Sequence, residues 1–192
     1  MVNNILIING NPIKDAFSSK ITSVYANAAK KQAKEVEIVE LNTLDFDPIR
    51  RYNNDNMLPL STVLLDIQKK ILWADHLVFI YPTWWGGMPA ILKGFFELIF
   101  TKGFAFRYHS EKKLPIKMLE NKSADVITTM DAPWIYYYFI QGAPGDKMIK
   151  NSILNFCGID PVKFFHFDKI NKASDKTIQK WLNKVENRAA SL

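Results

Sequence analysis

Two stretches of this chain, NILIIN at residues 4–9 and LVFIY at 77–81, are apolar almost without interruption. A strand with one face in water alternates apolar and polar residues, whereas a strand covered on both faces has no polar side. These runs therefore predict the central strands of a parallel sheet sandwiched between helices. Three more β-branched or aromatic runs join them, Val36–Leu41, Ala124–Met130 and Val162–Phe167. VEIVEL alternates and is expected at a sheet edge.

Helix-period segments fill the intervals. Ile21, Val24, Tyr25, Ala28 and Ala29 recur at helical spacing just after Ser18 and Ser19, which are suitable N-cap residues. Leu64, Ile67, Ile71 and Ala74 form a second stripe, and Ala90–Phe100 a third that starts directly after Pro89. A fourth runs over Lys147–Phe156 and ends near Gly158, while Ile178, Trp181, Leu182 and Val185 line the last. Strands alternating with helices predict a right-handed, doubly wound, three-layer α/β/α domain. Five strands at this length favour the flavodoxin-like order 2-1-3-4-5. Without internal repeats or low-complexity linkers, residues 1–192 read as one domain, and 48% hydrophobic residues supply its core.

The single cysteine, Cys157 in NFCGI, cannot form an internal disulfide and is expected as a small buried thiol. It suits a reducing compartment. The start, MVNNILIING, has no charged leader pattern, and no apolar run reaches spanning length, so a soluble cytoplasmic protein is expected. The net charge of +6 comes from lysines spread along the chain (Lys30, Lys31, Lys69, Lys70, Lys112, Lys113, Lys147, Lys150) rather than one basic block. A solvated surface is expected in place of a nucleic-acid face.

In open α/β sheets, ligands bind beyond the carboxyl ends of the strands where the strand order reverses. Three unusual loops fall there. NGNPIKDAFSSK at 9–20 offers Asn11, Ser18, Ser19 and the open N–H groups of a helix start, a phosphate-binding arrangement. It contains neither GxGxxG nor GxxxxGK[ST], so a Rossmann NAD site and a P-loop are unsupported. YPTWWGGMP at 81–89 places Trp84 and Trp85 beside Gly86 and Gly87 in a turn between two prolines. Glycine backbone lets a flat ligand approach closely and aromatic rings wall it from water. TTMDAPWIYYYFIQGAPGDK at 128–147 adds strand-end hydroxyls at Thr128 and Thr129 and a second aromatic wall from Trp134 through Phe139. Two aromatic loops and a phosphate loop on one sheet edge describe a flavin site. Backbone N–H groups of Trp84, Trp85 and Gly86 are expected along one rim of the ring, and donors near Thr128 and Thr129 along another. No metal ligand set is assigned, and His76, His109 and His166 are given no catalytic role.

The sequence resembles the flavodoxin-like NAD(P)H:quinone oxidoreductases, including DT-diaphorase and the bacterial drug-modulator and general-stress quinone reductases, over about its whole length. The match rests on YPTWWGG followed by PAILKGFFELIFTKGFAFRY at 89–108, with FDPIRR at 46–51, TT at 128–129 and ILNFCGI at 153–159. The resemblance implies a flavin ring on Pro82, Thr83, Trp84, Trp85 and Gly86 and against Thr128, Thr129, Met130 and Asp131. It places the phosphates near Asn11, Phe17, Ser18 and Ser19. It also implies a homodimer in which Gln68 reaches the partner's site. FAD is favoured over FMN, with NADPH or NADH as hydride donor and a quinone or similar flat acceptor. Tyr138 matches a tyrosine beside the quinone, with Tyr136 and Tyr137 adjacent, but Pro144 stands at the family's histidine position and cannot exchange a proton. A ping-pong reductase is the expected activity; the alternatives are a flavodoxin-type electron carrier and a flavin-dependent regulatory subunit of a potassium efflux system.

Overall fold

The computed structural model describes residues 2–52, 59–108 and 115–192. The strands of its main sheet are β1 (Asn4–Asn9), β2 (Glu35–Glu40), β3 (His76–Pro82), β6 (Ser123–Thr129) and β7 (Val162–Phe167). They run parallel in the order β2-β1-β3-β6-β7. This is the expected 2-1-3-4-5 order, because β4 (Phe106–Arg107) and β5 (Ile116–Lys117) pair only with each other in a small antiparallel hairpin. Two-residue strands are too short to leave a periodic signal. β2 lies at the edge and is partly exposed, as its alternation requires.

Successive side chains of β1 point to opposite layers. Leu6 and Ile8 enter a core with α2 (Thr62–Trp73), α3 (Ala90–Ile99) and the helical stretch after residue 143. Ile5 and Ile7 pack with α1 (Phe17–Lys31) and α6 (Asp175–Ala190). The continuous apolar run follows from this double coverage. No helix among the described residues is long and apolar enough to cross a membrane.

Two expectations about helix ends need correction. Helix α1 begins at Phe17 with Ala16 as its uncapped N-cap residue, so neither Ser18 nor Ser19 is the cap. Ser18 lies buried in the first turn, where its Oγ accepts from Asn11 Nδ2 at 3.0 Å. The fourth helix starts three residues before Lys147. It comprises α4 (Pro144–Lys147), a π-helical stretch over Met148–Leu154 and α5 (Asn155–Cys157), and stops at left-handed Gly158. The other glycine with a decisive position is Gly94, where a Cβ would lie 2.1 Å from the Pro48 carbonyl oxygen. FDPIRR therefore crosses directly over the α3 backbone, and two of the stretches that carry the family resemblance touch each other.

At the amino ends of the strands sits a buried polar cluster. Asp125 on β6 accepts from Arg188 Nε and Nη2 of α6 at 2.8 and 3.0 Å and from the Tyr25 hydroxyl of α1 at 2.7 Å. His76 Nε2 lies 3.4 Å from the same carboxylate, and its Nδ1 is 2.7 Å from Ser123 Oγ. The cluster fastens both helices of one layer to the sheet, far along the strands from their carboxyl ends.

Candidate functional site

At the carboxyl ends, backbone bonds hold the loops side by side. Gly10 N–H donates to the Ile80 carbonyl at 2.8 Å and Thr83 N–H to the Thr129 carbonyl at 2.7 Å. In the first loop, Asn11 is buried and spends its side chain internally, donating to Ser18 and accepting from the Ile13 N–H at 3.0 Å. Its own N–H is held by Asn9 Oδ1, whose amide nitrogen donates to Glu40. Asn11 and Ser18 thus shape the loop at the start of α1, where the Ser19 N–H donates to the Ala16 carbonyl at 2.9 Å.

The double-tryptophan loop is a two-residue hairpin turn. Trp84 and Gly87 exchange backbone hydrogen bonds at 2.9 and 3.0 Å, while Trp85 and Gly86 both carry positive φ, +53° and +76°. Positive φ at both central positions is the type I′ pattern, strained for tryptophan and natural for glycine. The expected row of three rim donors is corrected by this turn, since the Trp84 N–H is consumed by Gly87. The Trp85 side chain projects entirely into solvent, at 105% relative exposure, and Trp84 is also exposed. Beneath the turn, Gly145 is pressed so close that a Cβ there would lie 2.8 Å from the Gly86 oxygen and 2.9 Å from the Tyr137 hydroxyl.

The third loop folds into a π-helical turn over Tyr136–Ile140. Tyr138 faces out and stacks on Trp134 with centroids 5.0 Å apart, whereas Tyr137 points inward and is buried with Met130 and Ala143. Asp131 is exposed and accepts from the Asn171 N–H at 3.3 Å. Thr128 Oγ1 is buried without a hydrogen-bond partner. Tyr138, Ala143, Asp146, Lys147, Lys150 and Phe164 line a cavity of about 420 Å³ beside this turn.

Sequence reasoning missed two residues here. The Tyr137 hydroxyl donates to Asp146, and Asp146 also meets His166. Burial and then the Asp146 charge push the Tyr137 hydroxyl far above its ordinary pKa, so it stays protonated. The available signal was a histidine near the carboxyl end of an otherwise largely apolar strand, VKFFHF. Gln68 lies elsewhere, on α2, donating from Nε2 to the Ile99 carbonyl at the end of α3. His109 lies outside the described residues.

Similarity to known proteins extends over nearly the whole chain. Residues 3–189 match the Flavodoxin_2 family, described as having a flavodoxin-like fold. The chain belongs to this family. It is 34% identical to Smu.1420 from Streptococcus mutans, with a TM-score of 0.87 covering 98% of this chain and 100% of that one. It is 29% identical over 178 residues to a Haemophilus influenzae protein named as an uncharacterized NAD(P)H oxidoreductase, covering 90% of this chain and 87% of that one. The NAD(P)H dehydrogenase [quinone] 1 of Cavia porcellus is 32% identical over 180 residues, covering 80% of this chain. The match takes in 64% of that enzyme's length, less than two thirds. A shorter match, 28% identical over 123 residues, covers 64% of this chain and 58% of an FMN-dependent NADH:quinone oxidoreductase from Alteromonas mediterranea. The resemblance of this Flavodoxin_2 member to quinone oxidoreductases is thereby borne out.

Proposed function

We propose that this protein is a flavin-dependent NAD(P)H oxidoreductase that moves a hydride from NAD(P)H to a quinone or similar flat acceptor, the two substrates occupying one face in turn. The observation that carries the proposal is the Trp84–Gly87 turn, which holds two tryptophans outside the core on a backbone strained at Trp85. Strain of this kind, together with a solvent-exposed indole, costs stability that packing does not recover. The residues present suit a flavin: exposed indole surface at Trp84 and Trp85 on a glycine-bearing turn that lets a flat ring approach the backbone closely. A bound flavin supplies the hydride chemistry, and the chain supplies orientation, a dry face and electrostatics.

In this reading Pro82, Thr83, Trp84, Trp85 and Gly86 border one side of the ring, and Thr128, Thr129, Met130 and Asp131 the other. Helix α1 receives phosphate at Asn11, Phe17, Ser18 and Ser19, with Asn11 and Ser18 acting through the loop they shape. Tyr138 and the Tyr137 turn flank the acceptor. The expectation of FAD over FMN finds no support among these relatives, since the Alteromonas enzyme is named FMN-dependent, and flavin is the cofactor class proposed. The site is open on the side of Trp85, Ile135, Phe139 and Ile140, all exposed. A second subunit covering that side, with Gln68 contributed from the partner's α2, would exclude water, so a homodimer is part of the proposal. NAD(P)H as donor fits a cytoplasmic protein.

The deciding experiment is the anaerobic visible spectrum of the purified protein before and after one equivalent of NADPH or NADH. A bound flavin that bleaches supports the reading, and chromatography of the released flavin separates FAD from FMN. Bound flavin that neither nucleotide reduces points to an electron carrier or regulatory subunit. Protein that neither contains nor takes up flavin refutes the reading.

A further inference from the structure

Directly under the ring platform, three titratable side chains from separate elements meet. Tyr137, in the turn after β6, donates its hydroxyl proton to Asp146 Oδ1 at 3.0 Å and accepts from the Asp146 N–H at 3.2 Å. The second carboxylate oxygen of Asp146 lies 2.8 Å from Nε2 of His166 on β7. The Asp146 and His166 side chains are largely enclosed, at 14% and 12% exposure. The Tyr137 hydroxyl and the Gly86 carbonyl oxygen both come within reach of a single methyl group placed on Gly145, so this cluster and the platform are next to each other.

The sheet register brings His166, Thr128 and Tyr81 abreast on adjacent strands, and Phe79 and Val126 of the same face enter the core beside the 144–157 helix. Thr128 Oγ1 is buried there with no partner, a polar atom aimed into the same interior region. A buried carboxylate is costly unless paired, and this one is paired with an imidazole.

We propose that Asp146 and His166 are positioning residues that compensate charge at the platform: His166 takes up a proton when the group held there becomes negative and releases it when that charge departs. This rests on the flavin reading given above. With the imidazole neutral and Nε2–H donating to Asp146, Nδ1 remains to accept the proton. One N–H bond forms at Nδ1, one O–H bond breaks in water or buffer, and the pair passes from a net charge of −1 to zero. A flavin held on the platform would gain two electrons from NAD(P)H but only the one proton carried with the hydride, so negative charge would build beside His166. Departure of the hydride to the acceptor would remove that charge and free the proton held on His166. Tyr137 keeps its own proton throughout and serves as the dipole between the pair and the turn.

Aromatic rings and charged side chains surround this imidazole. Phe164 stacks on it with centroids 5.8 Å apart and planes 9° apart, and Tyr137 lies 6.1 Å away. Tyr81, from β3, is held protonated by burial first and by the Asp146 charge next. Lys147 and Lys150 border the cavity on the Asp146 side, and Lys180 and Lys184 of α6 border the groove on the other side of the β7 edge. Asp146 is the only anion hydrogen-bonded to the ring among the described residues.

The test is proton uptake during two-electron electrochemical reduction of the flavin-loaded protein, read with a pH indicator in weak buffer between about pH 6 and pH 8. Unmodified protein should take up more protons than His166→Gln, by as much as one per two electrons, and Asp146→Asn should also differ. Equal uptake by unmodified protein and His166→Gln overturns the proposal. A second readout needs no variant: the His166 ring resonances, identified by contacts to the Phe164 and Tyr137 rings, should titrate at higher pH in the reduced than in the oxidised protein. An unchanged midpoint overturns the proposal even where the substitutions do not fold. Protein that takes up no flavin refutes the platform reading and this proposal with it, whereas flavin bound over a redox-insensitive His166 refutes this proposal alone.

Discussion

Replacing Arg188 by alanine removes the guanidinium that pairs with the buried carboxylate of Asp125. The carboxylate is fully buried and Arg188 makes two of its hydrogen bonds, at 2.8 and 3.0 Å. Burial alone would push the Asp125 pKa up, but the bonds from His76 and Arg188, followed by that from Tyr25, hold it below its ordinary value. Removing one partner of a buried ion pair costs roughly 3–5 kcal/mol. Tyr25 and His76 remain in Arg188→Ala, so the lower end, about 3 kcal/mol, is expected at neutral pH. For a chain of this size that lowers Tm by about 6–12 °C.

The pH dependence gives the sharper check. In the unmodified protein the depressed Asp125 pKa contributes stability that is present above about pH 4 and lost as pH falls through the folded value. In Arg188→Ala burial is offset only by His76 and Tyr25, so the folded pKa rises and protonation relieves part of the stranded charge. The gap between the two proteins must therefore be widest near neutrality and narrow on acidification. Urea unfolding at about pH 7 and about pH 5 measures both gaps, and Asp125→Asn combined with Arg188→Ala should recover part of the loss at pH 7. A penalty under about 1 kcal/mol, or one that does not change with pH, would refute the reasoning. Flavin affinity serves as the control and should be unaltered, because the cluster lies at the opposite ends of the strands.

Gly94→Ala forces a methyl group against the Pro48 carbonyl oxygen and should destabilise by about 1–3 kcal/mol or more, measured by the same unfolding experiment. Trp85→Gly relieves a positive φ at an exposed site and should leave stability equal or about 0.5–1 kcal/mol higher, while flavin affinity falls at least several-fold by fluorescence titration. Cys157 is buried, and burial pushes its thiol up to about 12. It should resist iodoacetamide near pH 8 in the folded protein and react quickly in urea; rapid labelling of the folded protein would contradict its placement.

The sheet was legible because its determinants are local and periodic. NILIIN and LVFIY announce strands covered on both faces, and VEIVEL announces an edge. Trp84 and Trp85 between Pro82 and Pro89 stood out because two bulky residues beside two glycines have no ordinary place in a strand-to-helix turn. Both signals lie within ten residues of chain.

Four features were decided by the tertiary structure. Ser18 carries the right side chain for a cap, but Asn11 takes its oxygen sideways. The Trp84 N–H reads as a rim donor until Gly87 closes the turn on it. Gly94 owes its identity to Pro48, more than forty residues earlier. Tyr137, Asp146 and His166 come from a turn, a helix and a strand, and only the β6–β7 register and the π-helical turn bring them together. Sequence pattern alone determined which faces are buried, because burial repeats with the period of the backbone. Which polar atoms meet depended on the completed fold, since a hydrogen bond requires two groups within about 3 Å and spacing along the chain does not fix that distance.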